Sequence, residues 1–187
     1  MKSPKIILIS GNRVVGKDTF FTLLQEINPN FKRWAFADSL KIILEPVCLK
    51  LFNKSIKDLT PIEKELFRPI MLATGKTARE IDVNFWVKCV AEEIKLYMDF
   101  QEIIPVICDN RYISETNYFK EIYGNSMLLI NIDRIGAPEP TSEEKINGPK
   151  VKELADVLIE WKTDASLIEP RKTVSYFYDK YFNGYDQ

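Results

Sequence analysis

A glycine-bounded turn between an apolar run and an amphipathic segment constrains the fold of this chain more than any other feature. The run Lys5–Ser10 is almost wholly aliphatic or β-branched, which is typical of a strand buried on both faces of a parallel sheet. The turn Gly11–Lys17 fits G-x-x-x-x-G-K, and apolar residues then recur at helical spacing as far as Ile27. Strand, turn and helix in this order predict an α/β protein with a phosphate-binding loop near its N-terminal end.

The chemistry of this loop predicts a nucleoside triphosphate ligand. Glycines let consecutive backbone N–H groups point at an anion, the next helix adds its positive end, and Lys17 reaches the β- and γ-phosphates. The predicted ATP contacts are Gly11, Asn12, Arg13, Val14, Val15, Gly16, Lys17, Asp18 and Thr19.

The residue after the loop lysine departs from the usual motif. Asp18 stands where the motif has Ser or Thr to bind Mg²⁺, and Thr19 follows it. An enzyme that uses ATP needs Mg²⁺ to spread the charge over the phosphate oxygens. The sequence predicts a magnesium ligand at Asp18 or at Thr19 and leaves both open.

The composition excludes several function classes. The 187 residues include no histidine, so His-based general bases, Ser-His-Asp triads and His metal sites are excluded. A formal net charge of −1 gives no global field for nucleic acid, and no apolar run reaches the roughly 18 to 20 residues of a membrane span. Three cysteines without metal-site spacing indicate buried thiols in a reducing cytoplasm.

Strand and helix patterns alternate along the whole chain, with no repeat or linker. They predict one domain over residues 1–187, with a central parallel sheet of about five strands and helices on both faces, in three layers. Asp38 is predicted as the N-cap of a second helix, and Gly75 as the end of a third. The predicted strands are 5–10, 32–37, 103–108, 127–132 and 156–161. The predicted helices are 17–27, 38–52, 60–74, 83–100, 113–123 and 173–182, and residues 134–150 are predicted to form a mobile loop.

Four further segments extend a family resemblance that begins at Gly16-Lys17-Asp18-Thr19. This chain resembles the phage-type deoxynucleoside monophosphate kinases, a branch of the P-loop nucleotide kinases, from residue 5 to about 160. The similar segments are Phe36–Lys41, Arg68–Gly75, Asn84–Lys88, and Val106–Arg111 with Glu115 beyond it. Two departures bear on base recognition: Leu72 replaces a glutamine of many members, and Lys76 replaces a threonine.

The resemblance implies ATP- and Mg²⁺-dependent phosphorylation of a (deoxy)nucleoside monophosphate. It implies an acceptor-binding helical region over about residues 38–100 and a lid over about 134–150, which brings Arg134 to the phosphates. It also implies small nucleotide substrates, a monomer or homodimer, no nucleic-acid or membrane partner, and the cytoplasm of a bacterial or phage-infected cell.

The residue types fit this chemistry independently of the family. Planar guanidinium groups bind phosphate oxygens in pairs, and a monophosphate is already a charged nucleophile, so no general base is needed. Asp109 ends an apolar strand and is predicted to hold a magnesium-bound water or to orient the acceptor; its alternative is a helix cap. The predicted catalytic residues are Lys17, Asp109, Arg111 and Arg134. The predicted acceptor contacts are Phe36, Asp38, Lys41, Arg68, Arg79, Trp86 and Arg111.

Three other functions remain open from the sequence. One is a P-loop kinase for another small phosphorylated acceptor, of the phosphomevalonate or dephospho-coenzyme A type. A nucleotide-switch module is a second, but the D-x-x-G match at Asp133–Gly136 follows the fourth predicted strand instead of the third. The third is a nucleic-acid ATPase, which the near-zero net charge disfavours.

Overall fold

The centre of the protein is a sheet of five parallel strands in the order β2-β3-β1-β4-β5. The computed structural model describes residues 3–162 and 167–184. The strands are β1 (Ile6–Ser10), β2 (Phe31–Trp34), β3 (Ile104–Asn110), β4 (Met127–Ile135) and β5 (Val157–Lys162). All five residues of β1 are buried between β3 and β4, because the apolar run has no polar face to offer solvent.

Helices cover both faces of the sheet, so the predicted three-layer α/β fold is confirmed. The helices are α1 (Lys17–Ile27), α2 (Phe36–Phe52), α3 (Pro61–Ile81), α4 (Phe85–Phe100), α5 (Ile113–Tyr123), α6 (Ser142–Lys152) and α7 (Ile168–Phe182). On one face α1 and α7 meet through Phe20 and Phe177, whose ring centroids lie 5.2 Å apart. On the other face Trp86, Phe119 and Val151 bring α4, α5 and α6 into one core with the start of α2.

A smaller apolar cluster holds α2 and α3 together away from the sheet. Its buried members are Leu44, Cys48, Ile56, Leu59 and Phe67. The predicted start of α3 is confirmed, because Thr60 and Glu63 form a capping box with Pro61 behind it. The predicted end at Gly75 is wrong: the indole N–H of Trp86 donates to the Gly75 carbonyl at 3.1 Å, and this packing outweighs the poor helix propensity of glycine.

The prediction of a mobile loop over residues 134–150 is wrong. Strand β4 continues to Ile135 because its edge pairs with β5 as far as Lys162. Helix α6 then begins after Thr141, whose hydroxyl accepts from the Glu144 backbone while the Glu144 carboxylate accepts from the Thr141 backbone. This capping box starts a helix despite the Gly and Pro inside it, and the buried Val151 holds it on the core.

Three other predicted boundaries shift in ways that matter for the site. Strand β3 runs to Asn110, so Asp109 lies inside the strand and not after it. Helix α2 begins at Phe36, which places Asp38 in its first turn and makes the N-cap prediction for Asp38 wrong. Helix α7 begins at Ile168, five residues before the predicted start. Within the described ranges, no helix combines the length and apolarity that a membrane span requires.

Candidate nucleotide and acceptor site

The loop after β1 has the geometry of a phosphate cradle. Gly11 and Gly16 have φ angles of 131° and 98°, which side chains larger than hydrogen rarely adopt. A Cβ at Gly11 would collide with the Ile132 carbonyl oxygen, and one at Gly16 would lie 2.6 Å from the Trp161 ring. Both positions therefore require glycine. The Trp161 indole also donates to the Val15 carbonyl at 2.6 Å, which fixes the loop on the end of β5.

Lys17 folds back over this loop. Its Nζ donates to the carbonyl oxygens of Gly11 and Asn12, each at 2.6 Å. Burial lowers the pKa of Lys17, and the positive charge of Arg111 lowers it further. A bound phosphate would relieve both effects, because it supplies negative charge to a desolvated ammonium. The loop backbone, which requires glycine at positions 11 and 16, and this lysine together fit the phosphates of a nucleoside triphosphate.

Glu144 of α6 also contacts the loop, and the sequence reasoning missed it. Its Oε1 accepts from the Arg13 backbone N–H at 2.7 Å. Its Oε2 accepts from the backbone N–H and the hydroxyl of Thr141 at 2.9 and 3.0 Å. Burial raises the pKa of Glu144, but the hydrogen bonds from Thr141 and Arg13 outweigh it, so the pKa is lowered. A carboxylate from α6 thus accepts the hydrogen bond of one loop N–H. In the sequence, the T-x-x-E pattern of a capping box was the signal that could have identified Glu144.

The metal candidates lie at the start of α1. The Asp18 side chain is 81% exposed and lies 3.4 Å from Nε of Arg33. Thr19 is partly buried one residue further along. In the described part of the chain no three His, Cys, Asp or Glu side chains form a metal cluster. Since Mg²⁺ in such sites takes one or two protein ligands and otherwise phosphate oxygens and water, Asp18 or Thr19 beside the loop fits this donor set.

Arg33 was not singled out by the sequence, but it pairs with two of the predicted site residues, Asp18 and Asp38. Its NH1 donates to Asp38 at 3.0 Å, and Lys41 donates to the same carboxylate at 2.6 Å. Burial raises the pKa of Asp38, but Lys41 and then Arg33 outweigh it, so the pKa is lowered. Neither Asp38 nor Lys41 lines the cavity described next, but Lys41 lines a second cavity together with Arg68, another predicted acceptor contact.

A cavity of about 260 Å³ lies beside the P-loop, between α2, α3, α4 and the end of β3. Six predicted site residues line this cavity, which we call the acceptor pocket: Phe36, Arg68, Arg79, Trp86, Asp109 and Arg111. The sequence reasoning had not assigned Tyr112 or Glu143 to it, and had noted Glu115 only as a downstream acid. Helix and strand ends far apart in the chain thus converge on one pocket.

Three arginines, Arg68, Arg79 and Arg111, supply the positive charge of the acceptor pocket. The Arg79 guanidinium lies over the Tyr112 ring, 4.9 Å from its centroid, and Arg68 pairs with the exposed Glu65 at 3.1 Å. Arg111 borders both the acceptor pocket and a water-sized cavity of about 20 Å³ between the P-loop and α6. Arg111 is therefore the cation that adjoins the two halves of the site.

Burial disfavours the charged forms of two carboxyl groups in the pocket. Burial raises the pKa of Glu115 to about 8, although its Oε2 accepts from the backbone N–H groups of Arg111 and Tyr112 at 2.7 and 3.0 Å. Burial also raises the pKa of Asp109. Three guanidinium groups thus line a pocket in which burial disfavours the charged forms of Glu115 and Asp109, with Glu143 as its third acidic residue. The excess of guanidinium groups suits a phosphorylated ligand.

Asp109 serves as a helix cap, the alternative that the sequence left open. Its Oδ1 accepts from the Phe36 backbone N–H at 2.8 Å, and its Oδ2 accepts from Ala37 at 3.1 Å. The carboxylate thus satisfies the first turn of α2 from across the sheet. Both oxygens are engaged, so the geometry gives Asp109 a positioning role at the base of the pocket.

Arg134 does not lie on a loop over the acceptor. It is inside β4, opposite Trp161 of β5, and it does not line the acceptor pocket. Because register partners in a sheet point to the same face, Arg134 lies on the α1–α7 side with Trp161, beneath the P-loop. Its Nε is buried without a hydrogen-bond partner among the described residues. Arg134 therefore lies on the same face of the sheet as Trp161, which contacts the P-loop.

Comparison with solved structures shows which fold this is. The chain is similar to the dephospho-CoA kinase from Campylobacter jejuni, with a TM-score of 0.57 and 16% identity over 98% of this chain and 99% of that one. It is also similar to a sugar kinase from Janibacter sp. HTCC2649, with a TM-score of 0.52 and 12% identity over 96% and 95% of the two chains. No family model matches the sequence, and no curated protein matches it. These similarities establish a P-loop fold over nearly the whole chain.

Proposed function

We propose that this protein transfers the γ-phosphate of ATP to a (deoxy)nucleoside monophosphate, giving ADP and the diphosphate. The observation that carries the proposal is the adjacency of two anion sites. A P-loop with its lysine and a pocket lined by three arginines meet at the carboxyl edge of the sheet, and Arg111 borders both. Open α/β sheets bind their ligands at this edge.

The chemistry needs positioning and charge stabilisation more than proton transfer. A monophosphate oxygen attacks as an anion, so a chain without histidine can carry out the reaction. Lys17 would hold the β- and γ-phosphates, Arg111 would lie between donor and acceptor, and Arg79 with Arg68 would hold the acceptor phosphate. Mg²⁺, held by Asp18 or Thr19 with the phosphates, supplies charge neutralisation when bound. Glu144 leaves the loop N–H when the phosphates occupy it, because two anions compete for one donor.

The structure leads us to revise two roles within this proposal. We assign Asp109 to positioning, since both its oxygens hold the first turn of α2. We assign Arg134 to the nucleotide, since it lies on the P-loop side of the sheet with Trp161. The lid role of residues 134–150 stays a prediction, and α6 is the part of that segment that touches the loop.

A second candidate acceptor is a molecule of the dephospho-coenzyme A type. It is favoured by the similarity over nearly full length to a fold that carries that activity in Campylobacter jejuni. The arginine pocket serves either acceptor, because both carry phosphate groups.

The test is ADP release from ATP–Mg²⁺ with a panel of ribo- and deoxyribonucleoside monophosphates, dephospho-coenzyme A, shikimate and gluconate, and a control without acceptor. We expect stimulation by one or more nucleoside monophosphates and none by the two acceptors without phosphate. Stimulation by dephospho-coenzyme A alone would replace the first candidate with the second. No stimulation by any phosphorylated acceptor, with ATP still bound, would refute the proposal.

Arg79 offers a specific test of the acceptor pocket. Arg79→Ala removes a guanidinium that packs over Tyr112 in the pocket and that we propose holds the acceptor phosphate. The value of kcat/KM for the acceptor should therefore fall about 10- to 100-fold. The matched control is Arg171→Ala, an exposed partner of Glu26 outside the site, which should leave the kinetics unchanged. Equal effects of the two substitutions on the acceptor KM would contradict the assignment.

A further inference from the structure

A second, larger cavity adjoins the acceptor pocket along the same two helices. This cavity of about 760 Å³ lies between α2, the short 3-10 helix Ile56–Asp58 and the first half of α3. Arg68 and Met71 line both cavities, so the two share a boundary.

One face of α3 lines both of these adjoining cavities, which together we call the trough. On α3 the lining residues Lys64, Arg68, Met71, Gly75 and Arg79 follow one another at intervals of three or four, so they lie on one face. At 1.5 Å per residue this face is about 22 Å long. The lining residues of α2 advance in the same way, from Ala37 in the acceptor pocket to Leu49 at the far end.

The far half of the trough is apolar along its floor and cationic at its end. Ile42, Pro46, Leu49 and Ile56 line it together with Met71. Lys57 and Lys64 stand at the far end, and neither forms a salt bridge in the described part of the chain.

Two acids line the same cavity, and hydrogen bonds together with the charge of Lys57 lower the pKa of one of them, Glu45. The Glu45 carboxylate accepts from the Ile56 backbone N–H at 3.2 Å, and Glu65 pairs with Arg68 at 3.1 Å. An apolar floor that ends at Lys57 and Lys64, neither of which is in a salt bridge within the described residues, is complementary to an apolar group that ends in an anion.

We infer that the trough binds the arm of an elongated acceptor: a phosphate monoester whose phosphate lies among the arginines, continued by a largely apolar chain that ends in an anionic group. This inference rests on the proposed function, since it extends the same acceptor site. Nucleoside monophosphates fill the near half alone, whereas a phosphorylated acceptor with an arm fills both halves and binds more tightly.

The test uses alkyl monophosphates as probes of the trough, with affinities measured by calorimetry in the absence of nucleotide. From butyl to dodecyl phosphate, affinity should rise about twofold for each methylene that becomes half buried. A terminal carboxylate on the dodecyl chain should tighten binding further, and a terminal amine should weaken it. Affinity that does not change with chain length, or that rises equally with either terminal charge, overturns the inference.

A pair of variants on α2 locates the effect. Leu49→Lys puts a charged chain into the apolar floor, so it should reduce dodecyl phosphate binding at least tenfold and leave butyl phosphate binding unchanged. Leu51→Lys changes an exposed residue of the same helix that does not line the trough, and it should change neither. Both sites are exposed, so thermal melting should show both variants folded.

Two further readouts separate this inference from its alternatives. ADP release with nucleoside monophosphates tests the proposed function, and Leu49→Lys should leave the KM of those short acceptors unchanged. Sedimentation tests whether a second copy of the chain fills the trough. A dimer that Leu49→Lys dissociates, with alkyl phosphate binding unaffected, would assign the trough to self-association and overturn the inference.

Discussion

The carboxyl edge of the sheet and the α2–α3 region differ in how their residues are held. At the sheet edge, every residue of β1 is buried, and the P-loop is fixed by Trp161 and by the close approach of the β4 backbone. The α2–α3 region has a small cluster of its own and joins the main core through Phe36 and the Trp86–Gly75 hydrogen bond, and large apolar side chains such as Ile62, at 77% exposure, remain on its surface. The P-loop therefore packs directly on the main core, whereas much of the α2–α3 region packs on a separate, smaller cluster.

This difference has a functional meaning. A phosphate cradle needs backbone groups fixed before the ligand arrives, because its stabilising effect depends on preorganised donors. An acceptor region built on a small core can move as a unit, because few buried contacts resist its displacement. We therefore expect the P-loop to be more rigid than the α2–α3 region, which the predictions below test.

The largest expected effect tests the rigid half directly. Lys17→Ala should lower kcat by about 10³-fold, because it removes the cation at the transferring phosphate. The fold should persist, since within the described residues the hydrogen bonds of Lys17 Nζ go to the carbonyl groups of Gly11 and Asn12 in the same loop. Steady-state kinetics and thermal melting check the two statements, and a wild-type rate would refute the P-loop assignment.

A pair of phenylalanine substitutions compares the two halves in stability. Phe67→Ala empties the centre of the α2–α3 cluster and should cost about 3 to 5 kcal/mol, confined to that region. Hydrogen exchange of α3 should accelerate and the acceptor KM should rise, while ATP binding persists. Phe20→Ala in the main core should cost a similar free energy and weaken both functions. If Phe67→Ala also abolishes ATP binding, the two halves unfold as one cooperative unit.

Glu144 offers a smaller and opposite effect on the rigid half. Glu144→Gln removes a negative charge held at the Arg13 N–H, so ATP should bind about fivefold more tightly, the effect of ~1 kcal/mol from one screened charge. Calorimetric titration without Mg²⁺ measures this effect. Glu153→Gln, at the exposed C-terminal end of α6, is the control and should change nothing. Weaker ATP binding in Glu144→Gln would show that the carboxylate helps to hold the nucleotide.

A further prediction concerns the pH dependence of stability in the acceptor pocket. The pKa of Glu115 is about 8 in the folded protein against an ordinary 4.5, so the folded state binds more protons between these values. The free energy of unfolding should therefore fall as pH rises through that window. Glu115→Gln should flatten this decline, whereas Glu121→Gln on the exposed side of α5 should not. Melting curves measured across this pH window test the prediction. If stability declines with pH equally steeply in both variants, the raised pKa of Glu115 is refuted.

The fold class and the nucleotide half could be predicted because their signals are local. The apolar run, the two glycines and Lys17 are contiguous, so strand, turn and helix are all specified within one short stretch of chain. Thr60 and Glu63 likewise predicted the start of α3. The same local signal at Thr141 and Glu144 was overlooked, because Gly148 and Pro149 favoured a loop.

The acceptor half could be predicted only as a set of residue types. Arg68, Arg79 and Arg111 were chosen as guanidinium groups, and the tertiary structure decided that they share a pocket while Arg134 faces the opposite side of the sheet. Residues 134–150 show the same limit, since pairing with β5 and packing on the P-loop formed strand and helix where composition predicted a loop.

The sequence by itself determined a three-layer α/β protein with a P-loop, since contiguous residues specify both. Only the tertiary structure decided that Glu144 contacts the loop, that Asp109 caps α2, that Arg33 pairs with Asp18, and that α2 and α3 enclose a trough. The physical reason is distance along the chain: each of these contacts joins segments that only packing brings together, and neither residue of such a pair marks its partner in the sequence.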